Sequence, residues 1–308
     1  MNRVLLIAGP TAAGKTALAI EASKRIDGEI INADSMQVYG GLTLITARPS
    51  EQELMQAKHH LFGTIDPGER FSVGQWLSAA MALIEEVEAR GKTAILVGGT
   101  GLYFNALTKG LAPVPDITPA ARARAEALIE AQGLDGLRSE ALRLDPQGAA
   151  RIEPADRQRL QRIVEVGYAT GEALSRFHAE TEPILSAGRW TGLVIEPDRE
   201  ALYARINLRF DRMMETGALD EVRRFMERQL DPSLPAMKAL GVPPLIAHLR
   251  DELPLDEAID LAKRDSRRYA KRQMTWFRNQ HADWGRITSL EPDQRSAELD
   301  AMLGGFKD

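Results

Sequence analysis

Three short stretches hold the residues that can do chemistry. Gly9-Pro10-Thr11-Ala12-Ala13-Gly14-Lys15-Thr16 follows the apolar run Val4-Leu5-Leu6-Ile7-Ala8 and opens a helical pattern, which is the setting of a G-x-x-x-x-G-K-[ST] phosphate loop. Glycines let the backbone fold round phosphate oxygens without Cβ clashes, and N–H groups at the helix start point inward. Lys15 adds a positive charge, and Thr16 is placed to hold Mg²⁺ between phosphate oxygens. Asp34 follows the run Glu29-Ile30-Ile31-Asn32-Ala33, so a carboxylate stands at the carboxyl end of a strand, where open α/β sheets bind ligands. It could position Mg²⁺, accept a proton from a nucleophile, or cap the turn through Ser35, Met36 and Gln37; beside a phosphate loop the first two roles outrank the third. The third stretch, Val97-Gly98-Gly99-Thr100, permits close backbone approach and brings a hydroxyl to the same edge.

These stretches need a frame that delivers them to one edge. Apolar runs at Val4 to Ala8, Glu29 to Ala33 and Ala94 to Val97 alternate with helical periods, the pattern of a parallel α/β sheet. Ser72 can N-cap a helix whose apolar positions Trp76, Leu77, Ala80, Leu83, Ile84 and Val87 run until Gly91. From Pro113 the chain turns Ala/Arg/Glu/Leu-rich with almost no strand signal until Gly192-Leu193-Val194-Ile195. Asp198 then caps a helical pattern ending at Gly217, another helix spans about Leu255 to Arg278, and a strand candidate at Arg286-Ile287-Thr288 finishes the ordered part. The expected class is α/β: a P-loop NTPase-like parallel sheet flanked by helices, with residues 1–112 and 192–308 forming the catalytic core and 113–191 a helical insertion.

Composition narrows the class. With 44% hydrophobic and 27% charged residues the chain reads as ordinary globular protein, and its first apolar run is too brief for a membrane span, which makes a cytoplasmic enzyme the expectation. The absence of cysteine excludes disulfides, thiolate metal sites and a thiol nucleophile. The net charge of −5 does not exclude a nucleic-acid partner, because local clustering decides. Lys263, Arg264, Arg267, Arg268, Lys271, Arg272 and Arg278 stand against the single acid Asp265 between Lys263 and Arg278. Arg264, Arg268 and Arg272 form one helical stripe, and Ala270, Met274 and Phe277 another. Repulsion along the first stripe is disfavoured unless an anion offsets it.

Six ordered motifs together resemble those of the tRNA dimethylallyltransferase (IPP transferase) family. They are the phosphate loop, Asp34-Ser35-Met36-Gln37-Val38-Tyr39, Gly98-Gly99-Thr100-Gly101-Leu102-Tyr103, Asp156-Arg157-Gln158-Arg159-Leu160, Arg205-Ile206-Asn207-Leu208-Arg209-Phe210, and the basic segment Ala270 to Arg278. The resemblance implies transfer of a dimethylallyl group from dimethylallyl diphosphate to N6 of adenosine 37 in tRNA, with Mg²⁺ and release of diphosphate. By it, Gly9 to Thr16 bind the donor diphosphate, Lys15, Thr16 through Mg²⁺, and Arg209 stabilise the leaving group, Asp34 takes the N6 proton, and Thr100 hydrogen-bonds near the reacting centre. The adenine must be flipped into a channel that Ser35, Met36 and Gln37 line. Arg122, Gln158, Arg159, Leu160, Gln161, Arg162, Arg268 and Arg272 are then the remaining tRNA contacts of a protein expected to act as a monomer.

One loop departs from the family pattern, which usually reads Tyr-Arg-Gly-x-Asp-x-Gly-Thr-Ala-Lys-Pro. This chain has Tyr39-Gly40-Gly41-Leu42-Thr43-Leu44-Ile45-Thr46-Ala47-Arg48-Pro49. His59-His60, read as neighbours on a helix, point apart and suit packing or solvent rather than a metal. Trp190, Trp276 and Trp284 read as core or interface anchors. Rival readings are a prenyltransferase acting on free AMP, a P-loop small-metabolite kinase, and a non-catalytic P-loop module that binds RNA. The kinase leaves the basic helix and insertion idle, and strand Ile95-Leu96-Val97 ends in glycines where a P-loop ATPase usually places a second Mg²⁺-anchoring Asp.

Overall fold

The computed structural model describes residues 4–304 and Phe306. Residues 1–3, 305, 307 and 308, which the expected catalytic core includes, lie outside them. Among the described residues no helix is long and apolar enough to cross a membrane.

Six strands, β1 (Val4–Ala8), β2 (Gly28–Asn32), β3 (His59–His60), β4 (Thr93–Gly98), β5 (Trp190–Ile195) and β6 (Gly285–Ile287), form one parallel sheet in the order β3-β2-β4-β1-β5-β6. Parallel pairing requires crossovers, and the helices that make them cover both faces. In chain order the α-helices among the described residues are α1 (Lys15–Ile26), α2 (Glu51–Leu54), α3 (Val73–Ala89), α4 (Gly101–Thr108), α5 (Pro119–Leu144), α6 (Pro146–Ala149), α7 (Arg157–Thr170), α8 (Leu174–Ala179), α9 (Arg199–Glu215), α10 (Ala218–Met226), α11 (Val242–Leu249), α12 (Leu255–Gln280) and α13 (Pro292–Leu303), of which α5 to α8 belong to the helical unit described below. Every residue of β1 is buried, as a central strand with two covered faces demands. Leu5 and Ile7 pack with Leu18, Ile30, Ile95, Leu193, Ile206 and Met274 in one core.

Two caps foreseen from sequence set the helices in place. Ser72 and Gln75 form a reciprocal capping box at α3, and the Asp198 carboxylate accepts the Glu200 and Ala201 N–H groups at α9. From α3, Trp76 stacks on Tyr103 at 4.0 Å between centroids, and its indole N–H donates to the Asn32 carbonyl at the end of β2. One glycine of the β4 turn is sterically obligatory: a Cβ on Gly98 would collide with the Ala33 backbone. That closeness lets Thr100 N–H donate to the Ala33 carbonyl and joins the ends of β2 and β4.

The chain divides into two compact units, Met1–Ala106 with Leu185–Asp308, and Leu107–Ile184. Both divisions fall earlier than the sequence boundaries at 112/113 and 191/192. Trp190 and Thr191, assigned from sequence to the insertion, belong to β5 and pair with Val4 and Leu5 of β1; with only one large apolar residue before Gly192, the start of that strand carries no run. The second unit is helical, with its own core of Ala125, Leu137, Ala141, Leu160, Ile163 and Val164. Its buried Asp145 caps α6 through Gly148 N–H and binds the N–H and hydroxyl of Ser175 on α8.

Two expectations are corrected by the fold. His59-His60 is an edge strand, paired with Ile30 and Ile31 of β2; two residues give no periodicity to detect. The ordered part does not finish at Thr288, because α13 follows and sends Leu299 and Leu303 into the core.

The β2–β3 edge carries a buried ionic cluster. Glu29, 5% exposed at its side chain, meets His60 at 2.7 Å and Arg90 at 2.7 Å. Burial acts to raise its pKa, but hydrogen bonds from Arg90 and His60, with Lys58 nearby, outweigh it and hold the carboxyl at about 2. A folded pKa below the unfolded value adds stability above pH 4.5 and loses it as pH falls toward 2, on the order of 3 kcal/mol in full. Glu29→Gln should therefore lower the urea midpoint at neutral pH, and its deficit should shrink as pH is lowered from 4.5 to 2; a deficit that stays constant with pH refutes the assignment.

Candidate active site

At the carboxyl ends of β1, β2 and β4 lies a cavity of about 600 Å³ lined by Thr11, Ala12, Gly14, Lys15, Thr16 and Ala17 of the phosphate loop, Asp34 to Gln37, Ile45 to Arg48, and one face of α9. The loop is built as its glycines imply: Ala12 and Gly14 adopt φ of 64° and 83°, which turns the chain into the first residue of α1. Gly9, Pro10 and Ala13 are buried behind this wall and do not line it. The Pro10 carbonyl accepts the Ala13 N–H and the Lys15 ammonium, the latter at 2.8 Å. Burial lowers the Lys15 pKa to about 8; Asp34 opposes the shift and Arg209 adds to it.

Asp34 divides its carboxylate between two tasks. Oδ1 accepts the Met36 N–H at 2.9 Å, with Gln37 N–H at 3.4 Å, so the capping role ranked lowest from sequence is present. Among the described residues Oδ2 has no hydrogen-bond partner, and Asp34 lines the cavity. Asn32 fixes its backbone by accepting the Asp34 N–H and donating to the Asp34 carbonyl. Thr100 is not on the cavity wall. Its hydroxyl accepts the Ser35 N–H at 2.9 Å, lies 3.2 Å from Ser35 Oγ and bonds the phenol of Tyr269, which places it behind the Asp34 turn. Gln37 spends its amide on the Thr46 and Ala47 carbonyls, tying the Asp34 turn to the loop that departs from the family pattern. That loop has its own anchor: Glu221, on α10 and 8% exposed, accepts the N–H groups of Thr43, Leu44 and Ile45 at 2.7, 2.9 and 2.9 Å.

Helices α9 and α12 close the wall. Arg209 donates to Thr11 Oγ1 at 2.6 Å; burial lowers its guanidinium to about 10, Asp34 acting against and Arg205 with that shift. Arg205, Ile206, Arg209, Phe210 and Met213 share one face by helical spacing, so cationic and apolar groups adjoin on the same stripe. Gln273, 5% exposed, accepts the Thr11 N–H and donates to the Gly99 carbonyl, each at 2.8 Å. Tyr269 lines the cavity with its phenol pKa raised by burial and by Asp34. Arg295, from the unforeseen α13, is 7% exposed and comes so near Gly14 that a Cβ there would stand 2.6 Å from its Nη1.

Sequence reasoning assigned no role to Arg205, Tyr269, Gln273, Glu221 or Arg295. Gln273 had a signal, a polar residue on the buried stripe of Ala270, Met274 and Phe277. Arg205 had one too, four residues before Arg209.

The basic face of α12 is partly compensated: Arg264 and Arg268 share Asp265 at 3.6 and 3.7 Å. Arg278 pairs with Glu196. Arg272 lines both the main cavity and a neighbouring groove with Arg268, Lys271, Thr275 and Trp276.

In the helical unit, Arg122, Gln158, Arg159 and Arg162 are exposed. Arg159 pairs with Asp156 at 3.4 Å and Arg162 with Glu165 at 3.9 Å, exposed intrahelical pairs that cost little to exchange for another anion. Gln161 is half-buried and donates to Glu165. Leu160 is 0% exposed in that unit's core, which corrects its assignment as an RNA contact; it lies on the inward face of α7, where an apolar side chain stabilises packing.

Comparison with known proteins agrees with this geometry. The family model described as IPP transferase matches residues 37–280. A tRNA dimethylallyltransferase of Maricaulis maris (strain MCS10) is 66% identical over 303 residues, 98% of each chain. The solved full-length tRNA isopentenylpyrophosphate transferase of Bacillus halodurans is 36% identical with a TM-score of 0.71, covering 99% of this chain and 97% of that one. A solved eukaryotic dimethylallyltransferase acting on tRNA is 27% identical with a TM-score of 0.83, over 98% of this chain and 78% of that one. With a phosphate loop, a carboxylate and a cationic helix face converging on one cavity, and with matches that run nearly end to end, this chain belongs to the IPP transferase family.

Proposed function

We propose that this transferase moves a dimethylallyl group from dimethylallyl diphosphate to N6 of adenosine 37 in tRNA, acting as a monomer in the cytoplasm. The observation that carries the reading is the α9 face, where Arg205 and Arg209 beside the phosphate loop adjoin Ile206, Phe210 and Met213. A diphosphate with a short hydrocarbon tail has that same division into charged and apolar ends. The tRNA in the names of the relatives favours a tRNA acceptor over free AMP or a kinase substrate.

The chemistry follows from the groups present. The N6 lone pair of a flipped-out adenine attacks the allylic C1, the C1–O bond breaks, and its electron pair leaves on the diphosphate. Lys15 and Arg209 stabilise that charge from half-buried positions held by their bonds to Pro10 and Thr11, which limits reorganisation during reaction. Asp34 accepts the N6 proton at Oδ2 while Oδ1 holds the turn. Thr16 and Ser35 present hydroxyl oxygens to the cavity, donors suited to a hard cation shared with phosphate oxygens. Thr16 would hold Mg²⁺, which when bound supplies further neutralisation of the leaving group.

Asp34→Asn keeps the Oδ1 turn contact and removes the proton acceptor. Both substrates should bind while single-turnover transfer slows about 10²- to 10⁴-fold; near-normal transfer would leave Asp34 as a turn cap. Lys15→Ala should lower donor affinity and turnover together, because its ammonium meets the diphosphate in both ground and transition states. Equilibrium binding of donor and tRNA, measured separately, distinguishes the two patterns.

The α12 face supports a separate expectation. Replacing Arg268, Lys271 or Arg272 singly by Ala should weaken tRNA binding and reduce the slope of log affinity against log salt by roughly one unit per lost phosphate contact. Arg268, which shares Asp265 with Arg264, should show the smallest change. A slope that none of the three alters would make this a solvated face.

A further inference from the structure

We infer that Arg295 on α13 is a positioning residue of the diphosphate seat: a cation set behind the phosphate loop that turns Arg205 toward the anion and adds its own charge at the start of α1. The inference rests on the proposed reaction for the identity of that anion. The side chains that α13 buries are Arg295, Leu299 and Leu303, at four-residue spacing, and the two leucines pack in the main core. A guanidinium thus holds a place on the stripe where packing alone calls for an apolar residue.

No protein group neutralises it. Arg295 is 7% exposed, its Nε has no hydrogen-bond partner, and among the described residues its side chain forms no ion pair. The acids of its own helix are engaged elsewhere: Glu298 accepts the N–H groups of Thr288 and Ser289, and Asp300 pairs with Arg25. Glu291, one turn earlier, is exposed and acts on Arg205. Arginine is rarely buried unless paired, because a charge without a counter-ion is costly out of water. Packing does not account for this one.

Its position relates it to the donor. A Cβ built on Gly14 would stand 2.6 Å from Arg295 Nη1 and 3.6 Å from Arg205 Nη2, so two guanidinium groups converge on the N-cap of α1, which has no side-chain cap. Gly14 and Arg205 both line the cavity, and Arg295 stands behind them. Burial and the charge of Arg295 lower the Arg205 pKa, with Glu291 opposing. Repulsion between the two guanidinium groups falls when Arg205 leans into the cavity, and the partial positive charge of the helix start acts in the same direction. A compact, multiply charged anion such as diphosphate is what this arrangement favours.

The test titrates inorganic diphosphate and dimethylallyl diphosphate against the wild-type chain, Arg295→Met and Arg295→Lys, each checked for an unchanged circular dichroism spectrum. Arg295→Met removes an unpaired charge from an apolar stripe, so its urea midpoint without ligand should hold or rise. Its affinity for both diphosphates should nevertheless fall about 10- to 100-fold, with tRNA affinity unchanged. Arg295→Lys should recover part of the lost affinity. Wild-type diphosphate affinity in folded Arg295→Met, or a loss that Arg295→Lys does not recover, overturns the inference and leaves Arg295 as a packing group. If the wild-type chain binds diphosphate but transfers no dimethylallyl group, the proposed reaction fails separately, and the titration with inorganic diphosphate still decides the role of Arg295.

Discussion

Gln273 accepts the Thr11 N–H on one side and donates to the Gly99 carbonyl on the other, the second bond buried and the first partly so. The two loops it joins leave neighbouring strands β1 and β4, whose pairing ends at Ala8 and Gly98, so the loops beyond need a separate contact to fix their spacing. A buried carboxamide does so with two oriented bonds, and removing either partner leaves a polar group unsatisfied at a cost of about 1–3 kcal/mol. Around this bridge the site assembles. Thr11 receives Arg209 through its hydroxyl, and Gly99 leads to Thr100, which holds Ser35 beside Asp34. Asp34 and Arg209 are thus placed relative to one another through a side chain from a third element.

Charge explains why that placement must be so firm. Lys15, Arg205 and Arg209 are crowded cations, each with its proton affinity lowered by burial and by a cationic neighbour. Such a cluster is costly in the folded protein, and only Asp34 among the groups coupled to both Lys15 and Arg209 offsets it. On the proposed function, the diphosphate of the donor would relieve the repulsion on arrival. Stability has been exchanged for a field that already points at the oxygens where negative charge grows.

The sheet was legible because buried parallel strands are written as apolar runs: β1, β2 and β4 are recognised within a residue at each end. The start of β5 and the whole of β3 were not, since Trp190-Thr191 and His59-His60 derive their strand character from partners distant in sequence. The turn of the phosphate loop into α1 was equally legible, because Gly14 takes the left-handed conformation there, although Ala12 shares it. Leu160 shows where motif reading falls short: a motif marks a residue as needed without saying which way it faces. Glu221 shows the converse. No motif flags it, yet it organises the loop whose departure from the family pattern had no account in sequence; three N–H groups found their acceptor on a helix roughly 175 positions further along.

The ends of the helical unit meet, since Ile184 N–H donates to the Leu107 carbonyl at 3.2 Å. The chain therefore makes a closed excursion and returns to the place it left, which allows that unit to condense from local contacts as soon as it is synthesised. The sheet has no such freedom. β1 emerges first but must wait for its partners β4 and β5, and its phosphate loop must wait for Gln273 on α12. On the ribosome, at about 5–20 residues per second, the helical excursion precedes the donor site by several seconds. A nascent or truncated chain ending before α12 would hold every residue of the helical unit's own core yet lack the Gln273 contacts to Thr11 and Gly99.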